Sequence, residues 1–185
     1  MRTINKYKRS IIKLFNNTSR DNLDNGLTWY QDAHLVAHGL SKKYNLPLFK
    51  VVGIMAALSP NNKWERNKID TELFILRPSL DTKVCTFKKQ REKALDIYNV
   101  CNSPYEVLMV LRGVKTCNFF RNILDYDTSE HVTVDMWAFR SVGVEPKTKY
   151  IKDITEAYQQ VANELALKPH QVQAVVWGVI RGSLV

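Results

Sequence analysis

Cysteine is scarce in this chain and badly spaced. Cys85, Cys101 and Cys117 are an odd number with no CxxC pair among them. That excludes a disulfide framework and a zinc knuckle, and leaves buried thiols in a reducing cytoplasm as the expectation. Long apolar runs are also missing. The longest, VVGIMAALSP from Val51 to Pro60, falls far short of the ~20 residues a membrane-spanning helix needs, so no membrane partner is expected. The opening stretch, MRTINKYKRSIIKLFNN, carries positive charge but no apolar core with a small-residue cleavage site, and does not read as a signal peptide. Glycines (7) and prolines (6) are few and scattered. No linker, repeat or low-complexity segment follows, and one domain over 1–185 is expected. Acid is the last shortage: Lys plus Arg outnumber Asp plus Glu 27 to 18, a net charge of +9. Such an excess favours a polyanionic partner.

What is present is helical spacing. Tyr7, Ile11, Leu14 and Phe15 form one apolar stripe, and Leu27, Tyr30, Leu35, Ala37 and Leu40 another. Val51 to Leu58 is apolar on all sides, a buried helix or a buried strand. Trp64 to Leu76 is amphipathic and stops before Arg77-Pro78. Ser103-Pro104-Tyr105-Glu106 is a capping box with proline at the first helical position. Asp153-x-x-Glu156 reads as the opening of a further helix, and Pro169 as the start of the last. The fold class expected is all-α, with two helical lobes around a cleft. One lobe takes about 51–113, the other about 1–50 plus 114–185.

The chemistry-bearing positions begin in LRGVKTCNFF. Gly113 and Val114 can turn backbone N–H groups outward ahead of the helix of Lys115, a turn that binds phosphate without side chains. Twenty residues on, Asp135 stands among Val132, Val134 and Trp137. A carboxylate beside an amine stabilises the charged form of both, and Arg112 would depress the lysine and free its amine for attack. The plain alternative is that Asp135 caps a helix and Lys115 is solvated. Asn61 and Asn62, beside Lys63 and Arg66, could fill the gap left by an extruded base or form an ordinary turn. Trp29, Tyr30 and Trp137 could stack on such a base or sit in the core. His34-x-x-x-His38 has metal-ligand spacing without a third ligand, so no metal is expected. Lys88-Lys89-Gln90-Arg91 with Lys93 is a basic cluster suited to a phosphate backbone or to a solvated face.

These pieces, in this order, resemble the helix-hairpin-helix DNA glycosylase superfamily, and most of all its endonuclease III branch. In that branch a glycine hairpin leads into Lys-Thr-x-Asn, here Lys115-Thr116-Cys117-Asn118, and a loop then leads to Val-Asp and an arginine, here Val134-Asp135 and Arg140. Leu58-Ser59-Pro60-Asn61-Asn62 resembles the segment that ends the family's central helix. Arg91 to Ala94 stands in the place of the helix ahead of the hairpin, and Val176 to Gly182 resembles the closing helix. The resemblance covers roughly 45 to 182. It implies a DNA glycosylase acting on double-stranded DNA, with Asp135 at the sugar and Lys115 as a nucleophile for strand cleavage. Arg112, Gly113, Val114 and Asn118 would grip DNA. It further implies a cytoplasmic monomer without cofactor.

Two departures accompany it. The turn before Lys115 is one glycine shorter than the family's, and the four-cysteine iron–sulfur segment is not among these residues. Some viral-type relatives instead install an amine on an activated, modified thymine; a base transferase of this kind is the alternative enzyme. A non-catalytic DNA-binding module is the third reading. Asp135 argues against it, because a carboxylate facing phosphates costs affinity.

Overall fold

The computed structural model describes residues 2–182. It is all-α, with no strand among the described residues. The helices are α1 (Arg2–Asn16), α2 (Arg20–Tyr44), α3 (Leu48–Leu58), α4 (Trp64–Leu76), α5 (Lys88–Asn99), α6 (Pro104–Leu111), α7 (Val114–Leu124), α8 (Met136–Ser141), α9 (Ile151–Leu165) and α10 (Pro169–Arg181). A 3-10 turn over Thr148–Tyr150 leads into α9.

The ambiguous run from Val51 is helix, and every residue from Val51 to Leu58 is buried. With no strand beside it, only a helix satisfies its backbone internally. α4 spans the predicted Trp64–Leu76. At α6, Ser103 Oγ accepts the Glu106 N–H at 3.3 Å, as the capping box requires. Glu106 reaches back one residue further than the usual reciprocal bond and accepts from the Asn102 N–H at 2.6 Å. α9 opens at Ile151, so Asp153 lies in its first turn rather than at the cap. Leu35 is the exception in the α2 stripe: it is 57% exposed.

Two compact units divide the chain. One takes the chain up to Gln31 and from Asp125 onward; the other is Asp32–Leu124. α2 therefore begins in the first and ends in the second. The second is wider than the expected lobe of 51–113, because it takes in residues 32–50, which include the end of α2, and also α7, where Phe119, Phe120 and Ile123 are buried and the helix packs on α3. In this unit α3 is the centre, with α4, α5, α6 and α7 against it. Burying Ile54, Met55 and Leu58 on it contributes about 1.5–3 kcal/mol each. The first unit packs α1 on α9 and α10 around Tyr7, Ile11, Val132, Ile154, Tyr158, Val161 and Val176.

Candidate carboxylate site and candidate nucleic-acid interface

Asp135 closes an extended segment in the first unit and caps α8. Its Oδ1 accepts the backbone N–H groups of Trp137 and Ala138, both at 3.0 Å, and the indole N–H of Trp177 at 3.2 Å. Donors of this kind favour the ionised carboxylate. The segment before it is held by a reciprocal amide pair. The Thr133 N–H donates to Gln173 Oε1 at 2.8 Å, and Gln173 Nε2 donates to the Thr133 carbonyl.

Trp177 arrives there because α2 and α10 cross very closely. A Cβ on Gly26 would stand 2.7 Å from the Val175 backbone, and one on Gly178 would overlap the Asn22 amide. Asn22 Nδ2 donates to the Val175 carbonyl at 2.9 Å across that crossing. The crossing gathers an aromatic cluster: the Trp29 ring stands edge-on to Tyr30 at 4.8 Å and to Trp177 at 5.7 Å. Tyr30 is core, 2% exposed, with its hydroxyl 3.3 Å from Thr133 Oγ1. His170 sits edge-on to Tyr30 at 4.9 Å and donates from Nε2 to the Tyr126 carbonyl at 2.8 Å. Burial pushes His170 down to about 4, so the ring is neutral, and its Nδ1 is buried without a partner. Of the three aromatics singled out in the sequence, then, Tyr30 is structural and Trp29 is half-buried beside it. Trp137 is half-buried under arginines: the Arg140 guanidinium lies 4.5 Å from its ring centroid and that of Arg181 5.9 Å.

In the second unit α6 and α7 are joined by two residues, Arg112 and Gly113. The expected glycine turn is corrected here. The left-handed residue is Arg112, at φ 58, and Gly113 takes no positive φ. A side chain in that conformation costs about 1–3 kcal/mol, so the surrounding bonds must hold it. They do: the Arg112 N–H donates to Leu108, and its Nε donates to the Met109 carbonyl at 3.0 Å. The Gly113 N–H is not turned outward either, since it donates to the Leu111 carbonyl at 2.7 Å. The Gly113 carbonyl accepts from the Cys117 N–H and from Thr116 Oγ1. Val114 is exposed at the first position of α7, followed by Lys115, whose exposed amine has no partner among the described residues. Asn118 Oδ1 accepts from Arg121 at 3.3 Å.

The lysine bound into this hairpin is Lys93. Its Nζ donates to the Leu111 carbonyl at 2.6 Å, at the negative end of α6. Its pKa is lowered by burial first, then by the like charges of Lys89 and Arg112, against an opposing pull from Cys117. In sequence Lys93 was one member of a basic cluster. Its tether depends on α5 packing beside α6, which no local pattern announces.

The turn between α3 and α4 is organised by a residue that sequence reasoning passed over, Asp70. It is fully buried and accepts from Arg66 Nε at 2.7 Å, Asn62 Nδ2 at 2.9 Å and the Cys85 N–H at 2.8 Å. Arg66 and the Asn62 amide nitrogen are therefore committed to holding the turn. Asn61, left-handed at φ 59 and exposed, is the turn's outward side chain, and exposed Lys63 caps α4. Its only sequence signal is the i,i+4 spacing of Arg66 and Asp70.

His34 and His38 have parallel rings 6.3 Å apart, and His34 Nδ1 is hydrogen-bonded to the Ile123 carbonyl. No group of three metal-ligating side chains occurs among the described residues. A shallow groove on α1 is lined by Asn5, Lys6, Lys8, Arg9, Ile12 and Glu164 and includes none of the residues discussed above. No described helix is long and apolar enough to cross a membrane.

A helical protein with a helix-capping carboxylate, an aromatic cluster and a basic hairpin is what fold and sites define. The chain belongs to a family of unknown function, DUF7178, whose model matches residues 1–184. No curated protein and no solved structure matches it.

Proposed function

We propose that the chain is a DNA glycosylase of the helix-hairpin-helix type without an iron–sulfur cluster, excising a modified or damaged base from double-stranded DNA. The observation that supports this most is Asp135: a carboxylate fixed by N–H donors from Trp137, Ala138 and Trp177 on one oxygen, beside an aromatic cluster. Breaking an N-glycosidic bond develops positive charge on the sugar, and a fixed carboxylate stabilises that charge and orients the attacking water. Water adds to the anomeric carbon, and the base leaves with a proton. The base must first be flipped from the duplex, with a half-buried aromatic such as Trp29 or Trp137 to receive it.

The α6–α7 turn is the proposed hairpin. The Val114 N–H at the head of α7, with Arg112 and Asn118, would meet phosphates, and Asn61 would fill the vacated stack. Lys115 would add strand cleavage by attacking the same carbon to form an imine. Such an enzyme engages one duplex with the hairpin and the carboxylate, and acts as a monomer in the cytoplasm.

Mass spectrometry tests this. Protein is incubated with DNAs carrying ordinary, damaged and hypermodified pyrimidines, with Asp135→Asn as control. A free base released by the wild type and not by the variant is the expected result. DNA that gains the mass of a supplied amine, with no base released, would replace the glycosylase by a base transferase. No change in any DNA would remove both.

A further inference from the structure

The ring of Trp137 carries two guanidinium groups. Arg140 and Arg181 approach it to 4.5 and 5.9 Å, so their two cations stand within about 10 Å of each other. Both are exposed, and neither forms an ion pair or a hydrogen bond to protein among the described residues. Each closes the last turn of its helix, where the dipole favours a cation. That accounts for each arginine singly, but not for two set against one ring with no ion pair to either among the described residues.

Stacking uses the face of a guanidinium and leaves its N–H donors at the edge, directed outward in the plane. Two such edges on one rigid indole suit an anion with several oxygens in fixed geometry. Phosphate fits better than a carboxylate, because its oxygens can serve more than one guanidinium.

We propose that Trp137, Arg140 and Arg181 form a phosphate clamp, with the indole as backing plate and the guanidiniums as jaws. It begins two residues from Asp135, whose Oδ1 accepts the Trp137 N–H. The phosphate has two possible sources: the strand whose sugar meets Asp135, or a free pyrophosphate or nucleotide. Only the first source rests on the glycosylase proposal. On it, the clamp fixes the phosphate beside the excised nucleotide and so sets the register of the carboxylate on the sugar.

The test uses the full chain with Arg140→Gln, Arg181→Gln and the double variant, and Lys152→Gln as an exposed control on another helix. Anisotropy of a fluorescein-labelled duplex is followed across salt concentrations. Inorganic pyrophosphate is titrated separately, read by tryptophan fluorescence. Each single variant is expected to weaken duplex binding about 5- to 10-fold and lower the salt slope by about one, the double by about two, with the control unchanged. A pyrophosphate response in the wild type that the double variant lacks, with duplex binding unaffected, also upholds the clamp and names a free phosphate as its ligand. If the wild type ignores duplex but keeps that response, the clamp stands and DNA binding is excluded. A double variant that matches the wild type in affinity, salt slope and pyrophosphate response overturns the clamp, whatever DNA binding the wild type shows.

Discussion

Removing the Asp70 carboxylate should loosen the Asn61–Asn62 turn and destabilise the second unit together. Asp70→Ala strands three donors at once: Arg66 Nε, Asn62 Nδ2 and the Cys85 N–H. Hydrogen bonds to a charged acceptor are worth roughly 1.5–3 kcal/mol each. Arg66 and Cys85 are exposed enough to recover water, so most of the loss comes from Asn62 and from the space left behind. About 3 kcal/mol is the resulting expectation. For a chain of this size that corresponds to a fall in melting temperature of about 10 °C. Asp70→Asn keeps the shape and one acceptor oxygen and should lose about half as much. Thermal unfolding by circular dichroism measures the loss, and amide hydrogen exchange over residues 59–63 locates it. If Asn61 meets DNA, duplex binding by Asp70→Ala weakens even at temperatures where the protein stays folded. A melting temperature within about 1 °C of wild type would refute the anchoring role outright.

The other expectations concern single groups. Asp135→Asn and Asp135→Ser keep a capping side chain, so unfolding should shift by less than about 1 kcal/mol. Base release should nevertheless fall by about 10²- to 10⁴-fold, and equal turnover would take the carboxylate out of the chemistry. Lys115→Ala should abolish any borohydride-trappable adduct with DNA, and an adduct that survives would point to another amine. His170 has a folded pKa of about 4, below its usual value. Above pH ~6.5 it is neutral folded and unfolded, and adds no pH dependence; as pH falls towards 4 the unfolded chain binds a proton that the folded chain refuses. Stability should therefore drop by about 3 kcal/mol across that window and then level off. Urea midpoints of wild type and His170→Gln measured from neutral pH downward should diverge, and parallel curves would sink the assignment.

Local chemistry was legible in the sequence. Ser103-Pro104 and Pro169 mark helix starts because a cap and a preset φ act within one turn. Tyr7 and Ile11 are buried because a stripe at helical spacing has only one face to hide. What stayed hidden depended on chain segments far apart. Asp70 looks like half of a surface i,i+4 pair until the Cys85 N–H, fifteen residues on, is seen to cover it. The bond from Trp177 to Asp135 spans 42 residues and exists only because Gly26 and Gly178 let two helices cross closely. Both glycines are visible in the sequence, but nothing beside them says which backbone they face. The hairpin departs from expectation for a local reason: behind a left-handed Arg112, the Gly113 N–H turns back onto the Leu111 carbonyl instead of outward.

On the proposed function, capping and catalysis would not compete at Asp135. A cap needs an acceptor, and asparagine or serine would serve α8 as well as aspartate does. The negative charge is what aspartate adds. At this cap it is met by a further donor from α10, the Trp177 indole, which an exposed helix start would not need. With the Trp137, Ala138 and Trp177 donors all on Oδ1, the carboxylate is held in place by three hydrogen bonds. A carboxylate fixed before its substrate arrives has already met the reorganisation cost that makes electrostatic stabilisation weak in water. The same contacts thus explain both why α8 starts where it does and why a cationic transition state would find its counter-charge in place. Asparagine at 135 separates the two roles, since it keeps an acceptor oxygen for the helix and removes the charge.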